Sequence, residues 1–191
     1  MDRGTVYVGS FDNKLYALNA SDGARKWEFA AQGAIVATPI VDGDTVYFGS
    51  FDRHLYAIDA GNGQLKWEFE ARHGFWAKPV IVNELIYAPS LDGRVYVLNA
   101  SNGEKVAEIN LNSPVSSSPV VVGNFVVVAS EAGALWTIDT ATNEGRELVS
   151  VGEKVFSSLA ASETSVFVHT DRDSLFGVDV DTAALRKYDF K

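Results

Sequence analysis

A chain of 191 residues, 47% hydrophobic and 21% charged, can bury a sizeable apolar interior; this excludes wholesale disorder and removes the need for a disulfide or metal staple. Twenty-five acidic against 16 basic residues give a formal charge of −9, a field that repels nucleic acid and anionic lipid head groups. With no cysteine, thiolate metal sites, cysteine nucleophiles and disulfides are ruled out.

The chain starts Met1-Asp2-Arg3-Gly4 and runs straight into a strand pattern. Neither a charged-then-apolar leader nor an apolar run of membrane-spanning length is present, so no signal and no direct membrane insertion are expected within these residues. From Tyr7 the segment YVGSFDNKLYALNASDGARKWEF alternates apolar with polar or small residues, and it returns as YFGSFDRHLYAIDAGNGQLKWEF from Tyr47 and as YAPSLDGRVYVLNASNGEKVAEI from Tyr87, each time after 40 residues. Weaker copies keep the register from Val127 and from Phe167. The repeats fall at about 1–31, 32–71, 72–111, 112–151 and 152–191, within a single domain over 1–191.

In the second repeat four strands are predicted: A over Ile35–Val41, B over Thr45–Ser50, C over His54–Asp59 and D over Leu65–Glu70. Asp42-Gly43 supplies the A-to-B turn and Phe51-Asp52-Arg53 the B-to-C turn. A four-stranded antiparallel sheet with two apolar faces must cover both with neighbours, and small residues recur where strand A would meet an axis: Ala37-Thr38, Ser117-Ser118 and Ser157-Ser158. Pro39, Pro79 and Pro119 follow, with Leu159 in that place in the last repeat, as an exposed inner edge allows. The expected fold is all-β: a β-propeller of four-stranded blades. Its first blade has no inner strand, so the counted strands are 19, and the bare edge of that blade points to part of a larger propeller or to self-association through open terminal blades.

Ala17-Leu18-Asn19-Ala20-Ser21-Asp22-Gly23 leading to Trp27, and Ala57-Ile58-Asp59-Ala60-Gly61-Asn62-Gly63 leading to Trp67, resemble the tryptophan-docking motif of the PQQ-like (quinoprotein-like) propeller repeats. The resemblance implies that Gly23, Gly63 and Gly103 close the C-to-D turns and that Trp27 and Trp67 dock between neighbouring blades. Ala107 replaces the third tryptophan; Asn143 and Ala183 stand in the glycine place of the last two repeats, with Glu147 and Lys187 in the tryptophan place. Blades four and five are therefore expected to pack less tightly.

Members of that family include quinone-dependent dehydrogenases that hold pyrroloquinoline quinone over calcium, cofactor-free scaffolds such as the BamB-like lipoproteins of outer-membrane protein assembly, and sensor domains of kinases. The dehydrogenases generally carry a vicinal cysteine pair, absent here, and no acidic cluster falls on the A strands where calcium ligands would converge. The resemblance thus implies a non-catalytic protein–protein interaction scaffold of the cell envelope, periplasmic or extracellular, with no cofactor. A dehydrogenase fragment and a receptor sensor domain stand as alternatives.

No catalytic or metal-binding motif appears. His54, His73 and His169 lie in different repeats without ligand spacing, and Asp12, Asp52 and Asp92 recur as B-to-C turn formers. One segment departs from its counterparts: Arg72-His73-Gly74-Phe75-Trp76-Ala77-Lys78 fills the D-to-A connection with arginine and aromatics, the residue types enriched in binding hot spots. The candidate partner-binding residues are Arg72, Phe75 and Trp76, with Arg53, His54 and Arg94 near the rim, and the partner class is a protein or peptide. The competing reading is that the aromatics fill the channel or the gap between blades.

Overall fold

The computed structural model describes residues 4–188, and among these there are 19 strands and no helix. The first sheet has three strands, β1 (Thr5–Gly9), β2 (Lys14–Asn19) and β3 (Arg25–Ala30), in chain order. The second is the four-stranded β4 (Ile40–Asp42), β5 (Thr45–Gly49), β6 (His54–Asp59) and β7 (Leu65–Glu70). The third repeats it with β8 (Val80–Val82), β9 (Leu85–Pro89), β10 (Arg94–Asn99) and β11 (Lys105–Asn110), and the fourth with β12 (Val120–Val122), β13 (Phe125–Ala129), β14 (Ala134–Asp139) and β15 (Gly145–Ser150). The fifth comprises β16 (Ala160–Ala161), β17 (Ser165–His169), β18 (Leu175–Asp179) and β19 (Leu185–Tyr188). Each sheet is an antiparallel meander, so the fold is an all-β propeller, with three strands in the first blade among the described residues.

The inner strand is shorter than its sequence pattern suggests. Over Ile35–Val41 only Ile40 onward joins the ladder, because Pro39 has no N–H to give and the preceding residues are used elsewhere. Ile35 donates its N–H to the Ser10 carbonyl of the previous blade, at 3.0 Å, so the start of this segment bridges blades instead of extending a strand.

The core is divided among the seams. Leu15, Ile35, Val46, Phe48, Tyr56 and Ile58 bury one another between the first two blades, and Tyr47, Leu55, Ala57, Ile86, Tyr96 and Leu98 do so between the second and third. Tyr87, Val97, Ile109, Val126 and Ile138 form the next seam; Val127, Leu135, Val166, Val168 and Phe176 form the last. Alternation along each strand B explains the division: Val46 and Phe48 face the preceding blade while Tyr47 faces the following one. Each blade is therefore stable only through its neighbours.

Register along strands C and D changes down the chain. In the first three blades a bulge after Ala17, Ala57 or Val97 sets those residues opposite Trp27, Trp67 and Ala107. In the fourth the bulge lies between Leu135 and Trp136, so Thr137 pairs with Arg146 instead of Glu147. The fifth pairs regularly, Gly177 with Arg186. Counting in steps of 40 places Glu147 and Lys187 in the tryptophan position, but the ladder puts an arginine there in both blades.

Candidate functional site

B-to-C turns and D-to-A connections meet at one end of the propeller, and backbone hydrogen bonds lace them together. Phe51 donates to the Ala34 carbonyl at 2.9 Å, Phe75 to Ser50 at 3.0 Å and Leu91 to Gly74 at 3.0 Å, so each connection is held between the turns of two successive blades. The recurring aspartates are the hubs of this lattice. Asp52 accepts the His54 N–H at 3.0 Å, the Tyr56 hydroxyl at 2.9 Å and the Gln32 N–H of the connection at 2.8 Å. Asp92 does the same for Arg94, Tyr96 and the Arg72 N–H, at 3.0, 2.6 and 3.1 Å. Burial first, and then the bond to aspartate, pushes the Tyr56 and Tyr96 hydroxyls well above the ordinary tyrosine range; in the first blade the Tyr16 hydroxyl holds the Asp12 carboxyl below its usual range.

On this frame the sequence candidates separate into exposed and covered groups. Trp76 is 46% exposed and its ring lies 5.3 Å from that of Phe51, itself 37% exposed. Arg72 is open, with its guanidinium 3.6 Å from Glu108, and Arg53 is half-exposed with a 2.7 Å ion pair to Glu70. Arg94 is largely covered, clamped by Glu108 at 2.7 Å and by the Asp92 carbonyl at 3.2 Å. Glu108 gathers so many cations that its carboxyl sits below the usual range, the Lys105 ammonium first and the Arg94 guanidinium after it. His54 is folded over its own turn, Nδ1 3.1 Å from the Asp52 carbonyl oxygen.

Phe75 does not belong to the exposed set. It is 1% exposed, and its Cβ packs so close to Gly49 that a side chain there would overlap it. Phe75 fills the gap between the second and third blades, which is the packing role weighed against partner binding, and it is dropped as a contact residue. Phe11 and Phe156 are residues that a motif search passes over. Phe11 holds in the first blade the place of Phe51, and Phe156 in the fifth that of Trp76; both are exposed. Their signal was positional: apolar residues recur where a turn tip ought to be polar. Among the described residues no group of three or more His, Asp or Glu side chains is placed to hold a metal ion.

The tryptophans lie at the outer part of the blade seams. Trp27 donates its indole N–H to the Ala60 carbonyl of the next blade at 3.1 Å and Trp67 to Ala100 at 3.0 Å. Their rings lie against Gly63 and Gly103, whose φ values of +76° and +75° suit glycine and where a Cβ would come within 2.8 and 2.7 Å of the indole.

Against known proteins, the family model described as outer membrane protein assembly factor BamB matches residues 1–187. Among solved structures, BamB from Moraxella catarrhalis superposes with a TM-score of 0.85 at 22% identity, over 97% of this chain and 58% of that one. The computationally designed Ika8 protein superposes with a TM-score of 0.86 at 18% identity, over 100% of this chain and 60% of that one. The chain thus spans under two thirds of the length of either structure, and identities this low establish the shared fold. No curated protein sequence matches it.

Proposed function

We propose that this chain, which belongs to the outer membrane protein assembly factor BamB family, is a non-catalytic scaffold of the cell envelope that holds a protein or peptide partner on the end bearing Trp76. Protein interaction in the general sense follows from the family; the envelope location, the absence of catalysis and the particular surface are the proposal. The observation that carries it is the Phe51–Trp76 pair, two large aromatic rings left open to solvent, one on a B-to-C turn and one on the adjoining D-to-A connection, which hydrogen bonds pin on either side. Rigid aromatic anchors bind with little ordering entropy, and open guanidinium groups beside them supply directional donors for carboxylates. Arg72 and Arg53 are those donors; Arg94 and His54 support the turn beneath.

The test is quantitative capture of envelope proteins by the immobilised chain and by its Trp76→Ala/Phe51→Ala double variant, followed by calorimetry with the recovered partner. Loss of an aromatic anchor pair weakens binding by about tenfold or more. Equal recovery and equal affinity for the folded double variant would exclude this face.

A further inference from the structure

The sequence holds two Asn-Gly pairs, Asn62-Gly63 and Asn102-Gly103, and both fall in the C-to-D turn. An asparagine before glycine is open to a self-modification that other pairs resist, because the following residue has no Cβ to hinder attack of its backbone nitrogen on the asparagine carboxamide. A bond forms from the glycine nitrogen to Cγ and the Cγ–Nδ2 bond breaks; the amide nitrogen leaves as ammonia with the hydrogen that the glycine gives up. Water then opens the resulting succinimide ring. Addition at Cγ yields aspartate, and addition at the backbone carbonyl yields isoaspartate, in which the main chain detours through Cβ.

Asn62 and Asn102 are exposed, so water reaches both. The turn nevertheless ties the reacting groups. Gly63 donates its N–H to the Asp59 carbonyl at 2.9 Å, and Asn62 Oδ1 accepts the Gln64 N–H at 2.8 Å. Gly103 likewise donates to the Asn99 carbonyl at 2.9 Å, and Asn102 Oδ1 accepts the Glu104 N–H at 3.0 Å. Ring closure must free the glycine N–H, turn the carboxamide and move the glycine, and an indole lies across that glycine. Trp27 covers Gly63 and Trp67 covers Gly103, each indole being fixed by its bond to Ala60 or Ala100. The first blade shows which product the turn accepts. It has Asp22-Gly23 in this place, with the Gly23 N–H bonded to the Asn19 carbonyl at 2.8 Å, the Ala24 N–H bonded to Asp22 Oδ1 at 2.9 Å, and no ring over Gly23. Aspartate therefore fits the turn as asparagine does, whereas the longer backbone of isoaspartate displaces the next glycine from beneath its indole.

We propose that Asn62 and Asn102 are sites of spontaneous deamidation, each guarded by the docking tryptophan of the preceding blade, so that conversion at either site proceeds through opening of its own seam. Trp27 guards Asn62 and Trp67 guards Asn102. The docking tryptophan then has a second role besides packing: it holds the neighbouring Asn-Gly bond in a conformation from which the succinimide cannot close. The inference does not rest on the function proposed for the surface at Trp76.

The test is incubation of the folded chain at mildly alkaline pH, where more of the glycine nitrogen is deprotonated, followed by peptide mass mapping and assay of isoaspartate; the same chain in denaturant sets the unguarded rate. Conversion at Asn62 and Asn102 is expected ahead of every other asparagine, and more slowly in the folded chain than in denaturant. Trp67→Leu should speed conversion of Asn102 about tenfold with little change at Asn62, and Trp27→Leu should do the reverse, because a local opening is governed by the contacts of its own seam. Trp67→Phe keeps a ring over Gly103 and serves if the leucine variant does not fold; a smaller acceleration at Asn102 alone is then expected. Equal acceleration of both sites in a folded variant, no acceleration at the site facing the substitution, or a folded-state rate equal to that in denaturant would each overturn the proposal.

Discussion

The first two seams and the last two solve one packing problem by different means. Between blades one, two and three a single indole fills the gap, satisfies a carbonyl and lies on a glycine whose backbone only glycine adopts easily. Between three and four that group is gone, and the Tyr87 hydroxyl reaches across to the Asn143 side chain at 2.7 Å. Between four and five an aliphatic cluster of Val127, Leu135, Val166, Val168 and Phe176 does the work. The fourth blade shows the loss at its other end too: Ala132 and Trp136 replace the Asp–Tyr pair of earlier blades, and Ser116 Oγ, Ser130 Oγ and Trp136 Nε1 are buried without hydrogen-bond partners among the described residues. A repeat can drift in sequence and keep its fold when the lost contacts are those of one side chain with one neighbour.

The largest effect that sharpens this comparison is at Trp67. Trp67→Ala removes the ring packed on Gly103 and the bond to the Ala100 carbonyl, and chemical denaturation should show a loss of about 3 kcal/mol. Hydrogen exchange would place the loss: amides of the second and third blades should open together while those of the fifth change little. Uniform acceleration throughout would mean that the seams are not separate cooperative units.

A smaller effect separates the tyrosines. Tyr87→Phe deletes the link to Asn143 and should cost about 1 kcal/mol. Tyr47→Phe should cost less, because the Ala100 carbonyl that loses its hydroxyl donor keeps the Trp67 indole at 3.0 Å. Thermal unfolding of the two variants side by side tests the ranking, and a costlier Tyr47→Phe would show that the indole alone does not satisfy the carbonyl.

How much of this could be read in the amino-acid sequence follows from what each signal depends on. The 40-residue spacing of Tyr7, Tyr47 and Tyr87 made the blades legible, since strand alternation and turn residues are local properties. The inner strand was overextended because Ile35–Thr38 has strand-like composition while its first N–H is bonded to another blade. The arginine opposite Thr137 is not legible in sequence, because a bulge moves register without altering residue count and nothing in Gly145-Arg146-Glu147 marks where the ladder slips. Phe75 and Trp76 look alike in sequence, but neighbouring residues on an irregular connection can face opposite ways: one is buried on Gly49 and the other lies against Phe51.

The smallest effect is a gain. Ala183 sits at φ +58° in the turn where Gly23, Gly63 and Gly103 serve earlier blades, and an L-residue in that region carries a strain of about 1 kcal/mol. Ala183→Gly relieves the strain, but the freer unfolded chain takes back part of it, so a net stabilisation of about 0.5 kcal/mol is expected. The turn keeps its closing bond from the residue 183 N–H to the Asp179 carbonyl, 2.9 Å long, so nothing else need change. A rise in the denaturant midpoint with unchanged cooperativity would support this account. A fall would mean that the Ala183 Cβ makes packing contacts worth more than the backbone strain it imposes, and the fifth blade would then have built its own replacement for the indole instead of merely losing it.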